Sequence, residues 1–428
     1  MNAIANAYDV VIGGSGIAAA ASALRLCALG FRPLVLATTC EVLPGIEAVP
    51  ESVLPLFREL GAEHVLEKAG ATLVNGFENH WDAEAPVRRA GRWIHVDRQR
   101  LATATLREAQ KRGTVLLECR SLPRLHQEPD GILVRCEGMP FAFASAIDAT
   151  GRSAVWSRPI RRRGNQIADM YSAATSGSHV PARVLRHAGI WAYRIGTPDR
   201  TTFAIVSAHG RKRTPPSLSL QKALGLPSDG CVFAGRRPAF LQWCDSPVQG
   251  RRLAVGDAAL AHDPIAGQGI RFAISSAFAA SSVINTWRTS PSPSGAAERF
   301  YDRFVERCRH SHLQFVDQLR EHPTQSPREK LPEVVVFSAG IVASELQLDS
   351  TIQTNQAILL PDGGHVRWVG GLDLLRLRDL LPHPIPAAEL ASRLVPAFCD
   401  ATQFSALLQW CLRHHVLAPH LEPALYPR

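Results

Sequence analysis

Thirty residues near the start of the chain leave little choice of architecture. In "YDVVIGGSGIAAAASALRLCALGFRPLVLA", Tyr8 to Ala37, an apolar run meets a glycine-rich turn, a helix of small residues and a second apolar run. Short apolar runs without alternation read as strands covered on both faces, and a parallel pair of them needs a crossover helix. The segment therefore predicts a βαβ unit with a parallel sheet, its second strand ending near Ala37. The turn fits a phosphate-binding fingerprint in two registers, Gly14-x-Gly16-x-x-Ala19 or Gly13-x-Ser15-x-x-Ala18. Either brings the backbone of Gly13, Gly14, Ser15, Gly16, Ile17 and Ala18 towards a pyrophosphate at a helix N-terminus. An ordinary tight βα turn would show similar glycines, so the motif needs company. One usual part is missing: Ala37 stands where an acid for an adenosine ribose is expected, which leaves Glu41, Thr38, Thr39 or the backbone.

Three later segments supply the company. "AIDATGR", Ala146 to Arg152, reads as a buried strand ending in small residues at Thr150 and Gly151 that let the chain pass close to a nucleotide. "HVDRQRLATATL", His95 to Leu106, places Arg98 at the entrance to a helix, suited to a phosphate or flavin-edge contact. "LAVGDAALAHDPIAGQGIRFAISSA", Leu253 to Ala277, is the most specific. There Gly256 and Asp257 end a strand, Pro264 stiffens a turn, and Gly267, Gln268, Gly269 and Ile270 open a helix. Asp257 can accept a hydrogen bond from a sugar-chain hydroxyl, while the backbone N-H groups of the helix start meet an electron-rich ring edge. These parts in this order suit a flavin.

The rest of the chain sets the boundaries. Its 428 residues are 46% hydrophobic, enough for two or three domains. The predicted class is α/β plus α+β: a Rossmann-like FAD-binding domain with a parallel sheet, a β-rich substrate domain inserted, and a small helical, winged-helix-like C-terminal domain. The expected segments are 1–155, which lends 71–95 to the substrate domain, then 156–250, 251–325 with connecting helices, and the tail 332–428. Three amphipathic helices and a hairpin in "QAILLPDGGHVRWV" are expected in the tail. Nine scattered cysteines without C-x-x-C spacing point to buried thiols in a reducing compartment and to no metal site. The first apolar stretch has no basic region before it and is broken by glycines and Arg25, so a cytoplasmic protein without membrane attachment is expected. The net charge of +9 is almost all arginine, the lysines being Lys68, Lys111, Lys212, Lys222 and Lys330. Arginine favours carboxylate or phosphate partners, and the dispersed charge argues against nucleic acid. The cluster Arg158, Arg161, Arg162 and Arg163 reads equally as a solvated loop.

Together the motifs G-G-S-G, D-R-x-x-L, D-A-T-G-R and G-D-A-A-x-x-x-D-P-x-x-G-Q-G resemble the FAD-dependent monooxygenase superfamily of the para-hydroxybenzoate hydroxylase type, which includes flavin halogenases and geranylgeranyl reductases. The resemblance covers about residues 7 to 320. It implies non-covalent FAD, reduced and then reacted with molecular oxygen to a C4a-hydroperoxide. "GIWAYRIGTP" is similar to the halogenase strand W-x-W-x-I-P but reads Trp191-x-Tyr193, and "ATLVNGFENHW" lacks the halogenase lysine. With its extra tail, the chain looks more like the flavoproteins that mature quinone cofactors of bacterial amine oxidases and dehydrogenases. The implied activity is hydroxylation of a tryptophan in the crosslinked small subunit of quinohemoprotein amine dehydrogenase, during cysteine tryptophylquinone biogenesis.

On that reading Trp191 and Tyr193, two apart on one strand face, line the substrate pocket unless they are core aromatics. His209 and His262 are the candidate proton carriers, Pro264 shapes the catalytic turn, and Asn79, His80 and Trp81 lie where a pocket loop is expected. Electrons come from NAD(P)H or a separate reductase, since no second glycine-rich βαβ unit is present. The rivals are a small-molecule aromatic hydroxylase, a geranylgeranyl-reductase-like enzyme, and a flavin-bearing scaffold.

Overall fold

The computed structural model describes residues 8–38, 45–80, 87–129, 131–136, 139–174, 181–187, 190–208, 218–224, 231–290, 295–321, 332–369, 372–398 and 401–419. The chain divides into two compact units, Met1–Pro293 with Tyr301–Pro323, and Ser294–Phe300 with Thr324–Arg428.

The first unit is built on the expected βαβ start. Strand Val10–Gly13 pairs in parallel with Pro33–Thr38 through helix Ile17–Ala28. Parallel pairing extends to Ser145–Asp148, Arg252–Ala254 and Val115–Cys119, with the short antiparallel strand Val248–Gln249 at one edge. Val10, Val11, Ile12 and the helix residues Ala19, Ala20, Ala21 and Ala23 are fully buried. Alanine at these positions lets the helix lie close to the sheet while losing no side-chain entropy. Against this layer stands an eight-stranded sheet, Val232–Pro238, Gln166–Ala174, Arg200–Ala208, Ile190–Gly196, Ala182–His187, Thr72–His80, Val87–Asp97 and Ile46–Pro50, in that spatial order. All its pairings are antiparallel except Ala182–His187 with Thr72–His80. Strand Val87–Asp97 ends at Asp97, whose carboxylate caps helix Arg98–Lys111 by accepting from the Gln99 and Arg100 amides at 2.9 and 3.0 Å.

The second unit holds helices Leu374–Leu380, Ala387–Phe398 and Ala401–Arg413. Strand Val334–Phe337 pairs with Ile385–Pro386 and Leu417–Pro419. Its core gathers Val335, Ile358, Leu377, Leu390, Leu394, Leu408 and Val416. The expected hairpin is present, since Thr351–Leu359 pairs with His365–Val366. A longer one, Gly340–Leu348 with Thr351–Leu359, turns at Asp349 and Ser350, both at positive φ. Asp-Ser lacks the glycine that usually marks such a turn in a sequence. No helix among the described residues is long and apolar enough to cross a membrane.

Candidate flavin site and active site

The chain segments singled out by their motifs meet at one cavity of about 340 Å³ in the first unit. The glycine turn contributes Gly16, Ile17 and Ala18, the strand end after Asp148 contributes Gly151, and the Asp257 to Ile270 loop forms a wall. The eight-stranded sheet closes the other side with Met170, Tyr193 and Pro238.

Each glycine in these motifs has its own physical reason. Gly14 has φ +106°, and a Cβ there would lie 2.4 Å from the Ala149 carbonyl oxygen, so it makes the tight turn. A Cβ on Gly13 would lie 2.6 Å from the Trp156 ring, so that residue serves core packing. Gly16, Gly151 and Gly269 have nothing within 4 Å of an added Cβ and leave the backbone bare beside the cavity. Gly256 would drive a Cβ to 2.7 Å from that of Ala18, so the close helix-to-strand contact falls at Ala18. Of the two sequence registers, Gly14-x-Gly16 supplies the turn and the bare approach, and Ala18 the packing. Helices Ile17–Ala28 and Gly269–Thr289 both begin here with no acid in their first turns, leaving their positive ends uncompensated.

Hydrogen bonds hold the motif ends. Asp148 is fully buried; its Oδ1 accepts from the Thr150 amide at 3.0 Å and the Thr150 hydroxyl at 2.6 Å, and its Oδ2 from the Trp156 amide at 2.8 Å. Thr150 is thus occupied in building the turn. Arg152 donates from its two terminal nitrogens to the carbonyls of Phe240 and His262, both at 2.8 Å, and its own carbonyl accepts from Gln242 at 2.6 Å. Burial lowers its pKa, while Asp257 and Asp263 oppose that effect. Asp263 accepts from the Ile265 amide at 3.0 Å and so starts the turn at Pro264 that Gly267, at φ +59°, ends.

Charges line the cavity in opposed sets, Arg98, Arg152 and Arg237 against Glu47, Asp257 and Asp263. Arg98 and Glu47 approach to 3.7 Å. Burial, and next the neighbouring Arg98, push the Arg237 pKa down. Tyr193 lines the cavity with its hydroxyl 3.7 Å from the Met170 sulfur, and burial raises its pKa, so it stays protonated and able to donate. Trp191 lies behind it, ring centroids 5.6 Å apart, packed on Ala168, Met170 and Val206. His262 reaches the cavity, and its ring meets those of His312 and Phe272 edge-on at 4.8 and 5.1 Å. Burial lowers the pKa of His262 to about 3 and that of His312 to about 4.

Both histidines are therefore neutral near pH 7. Because the unfolded chain takes protons near pH 6.5 that the folded chain refuses, stability is complete above that value and lost as pH falls towards 4. Each group contributes a slope of about 1.4 kcal/mol per pH unit in that window. His312→Gln is expected to flatten the dependence by one such increment, measured by urea denaturation between pH 4.5 and 7.

Asn79 and His80 end their strand beside Val184 and Leu185 and do not line the cavity. His209, Trp81, Thr39 and Glu41 lie outside the described residues. Glu47, Arg152 and Arg237 escaped the sequence reading. Only Arg152 carried a signal there, as the last residue of D-A-T-G-R.

No family model and no curated relative matches the chain. Solved structures do. "Peptidyl tryptophan dihydroxylase QhpG essential for tryptophylquinone cofactor biogenesis" aligns at 20% identity and TM-score 0.67, over 95% of this chain and 99% of that one. The flavin-dependent halogenase CmlS aligns at 14% identity and TM-score 0.74, over 98% of both. PqsL of Pseudomonas aeruginosa, a probable FAD-dependent monooxygenase, aligns at 18% identity and TM-score 0.60, over 73% of this chain and 95% of its own. The chain therefore has the fold that flavin-dependent monooxygenases and halogenases share.

Proposed function

We propose that the protein is an FAD-dependent monooxygenase that hydroxylates a tryptophan side chain of a protein substrate during maturation of a tryptophylquinone cofactor. The observation that carries the flavin reading is the bare backbone at Gly16, Gly151 and Gly269, three separate segments open to one cavity at two helix N-termini. The residues present suit FAD: the N-terminus of helix Ile17–Ala28 would hold its phosphates, Asp257 would accept from its sugar-chain hydroxyls, and the amides at Gly267 to Gly269 would meet its electron-rich ring edge. When bound, FAD supplies electron transfer and oxygen activation. The protein's part is to orient and to dry: buried Met170 gives the sheet side an apolar surface, and Tyr193 presents a protonated hydroxyl. Neutral His262 can accept a proton only transiently, because its charged form is penalised by burial.

The substrate class is supported by the likeness to QhpG, which runs through the tail as well as the flavin-type fold. Halogenation is the second reading, favoured by the TM-score of 0.74 to CmlS. Against it stand the absence of lysine from Ala71 to Trp81 and from the described cavity lining. The test is intact-mass analysis of a crosslinked quinohemoprotein amine dehydrogenase small subunit incubated with the protein, FAD, a reductant, air and chloride. A gain of one or two oxygen atoms that depends on air is expected. Addition of chlorine instead would establish the halogenase reading, and an unmodified peptide with steady oxygen uptake would move the substrate to small molecules.

A further inference from the structure

Two thiols outside the flavin cavity stand together at the edge of the parallel sheet. Strand Val115–Cys119 ends that sheet, and among the described residues it pairs only with Pro33–Thr38, Cys119 standing opposite Thr38. An edge strand is held from one side, and here Val115 and Leu117 are 40% and 37% exposed. Strand Gly131–Cys136 belongs to a separate three-stranded sheet, between Leu125–Glu128 and Met139–Phe143. Its Ile132, Val134 and Cys136 pack with Leu34 and Leu36 of the parallel sheet, and Cys119 joins the margin of the same cluster. The Cys119 and Cys136 sulfurs stand 4.0 Å apart. Cys136 is buried and Cys119 half-buried. The Cys119 sulfur also approaches the Leu117 carbonyl, only at 3.9 Å, so little holds its rotamer.

A disulfide needs its sulfurs at about 2.05 Å, so the pair must close by roughly 2 Å, which rotation of the half-buried side chain about its Cα–Cβ bond can cover. An accessible thiol beside a buried one is the arrangement in which a sulfenic acid is captured as a disulfide. We propose that Cys119 and Cys136 are an oxidative modification site, joined in a reversible disulfide when the protein meets hydrogen peroxide. The Cys119 thiolate attacks one peroxide oxygen, the O–O bond breaks, and a sulfenic acid forms as hydroxide leaves. The Cys136 thiolate then attacks the Cys119 sulfur, the S–O bond breaks, and a second hydroxide leaves. The protons given up by the two thiols turn both hydroxides to water, so the thiols lose two electrons and one peroxide becomes two waters. The bond ties the edge strand to the neighbouring sheet and braces the strand pair at Thr38. Neither cysteine lines the flavin cavity, so the site stands whatever that cavity binds.

The experiment treats the full-length protein with a small excess of hydrogen peroxide, blocks remaining thiols with iodoacetamide in urea, and maps the tryptic peptides. Gly113–Arg120 and Cys136–Arg152 are expected as one linked species, two hydrogens lighter than their sum and separated by dithiothreitol. Two fewer of the nine cysteines should then be alkylated. The Tm should rise by about 2–4 °C and fall back with dithiothreitol. In Cys136→Ala, Cys119 should pass on to the sulfinic acid, a gain of two oxygen atoms on Gly113–Arg120, because the resolving thiol is gone. Should that variant fail to fold, Cys119→Ser changes the half-buried partner instead, and Cys136 should there stay open to alkylation after peroxide. Full alkylation of both cysteines in the peroxide-treated parent, or sulfinic acid at Cys119 without a link, overturns the pair. A link from either to a third cysteine overturns it equally, and a linked protein with unchanged Tm overturns the bracing.

Discussion

Gly16→Val is expected to fold as the parent does and to lose FAD. Gly16 has φ −74° and ψ −177°, an extended conformation open to any residue, and no atom lies within 4 Å of an added Cβ. The branch point of the new side chain would therefore stand clear of the protein, in the space that a pyrophosphate would need at the helix N-terminus. A loss of at least 100-fold in FAD affinity, about 2.8 kcal/mol, should accompany a loss of no more than about 1 kcal/mol in the stability of the FAD-free protein, the cost of a poorer N-cap. Gly14→Ala is the contrasting variant. There the methyl collides with the Ala149 carbonyl at 2.4 Å in a left-handed backbone, which costs about 1–3 kcal/mol in backbone strain alone. Flavin absorbance after desalting, beside a thermal melt, separates the two. If Gly16→Val keeps its flavin, the cavity is not the flavin site.

Arg152→Met should damage the site from behind. The arginine is the clasp between the D-A-T-G-R strand end and the loop before Pro264, through the Phe240 and His262 carbonyls. Methionine fills much of the volume but leaves both part-buried acceptors unpaired and removes the cation facing Asp257 and Asp263. At about 1–3 kcal/mol for each unsatisfied group, a loss of roughly 2–4 kcal/mol in unfolding free energy is expected. FAD affinity should fall about tenfold or more as the 262–270 loop relaxes. Arg152→Lys keeps the charge with a single donor head and should recover part of the stability. Urea denaturation and FAD titration check both. Unchanged FAD affinity in Arg152→Met would show that the loop holds its shape without the clasp.

Much of the site could be read along the chain because its parts are local. A strand running into a bare glycine turn and a small-residue helix needs only neighbours in sequence, so Gly14, Gly16 and Ala18 were legible together with the βαβ unit. Asp257, Pro264 and Gly267 to Gly269 were legible for the same reason, since one strand, one turn and one helix start carry them all. The hairpin at Asp349 and Ser350 was not, because its turn lacks the glycine signal.

The sequence by itself thus determined the parallel sheet, the glycine turn and the loop around Asp257, whose periodicity and turn chemistry act over a few residues. Only the tertiary structure decided that Gly13 makes room for Trp156, that Thr150 serves Asp148, and that Tyr193 faces the cavity while Trp191 packs behind it. It alone brought Glu47, Arg152 and Arg237 to one cavity, from opposite edges of the eight-stranded sheet and the end of a parallel strand. The reason is physical: strand order and sheet-to-sheet placement are set by the packing of buried faces across long loops. Hydrophobic pattern reports that a face is buried, and is silent on which face it meets.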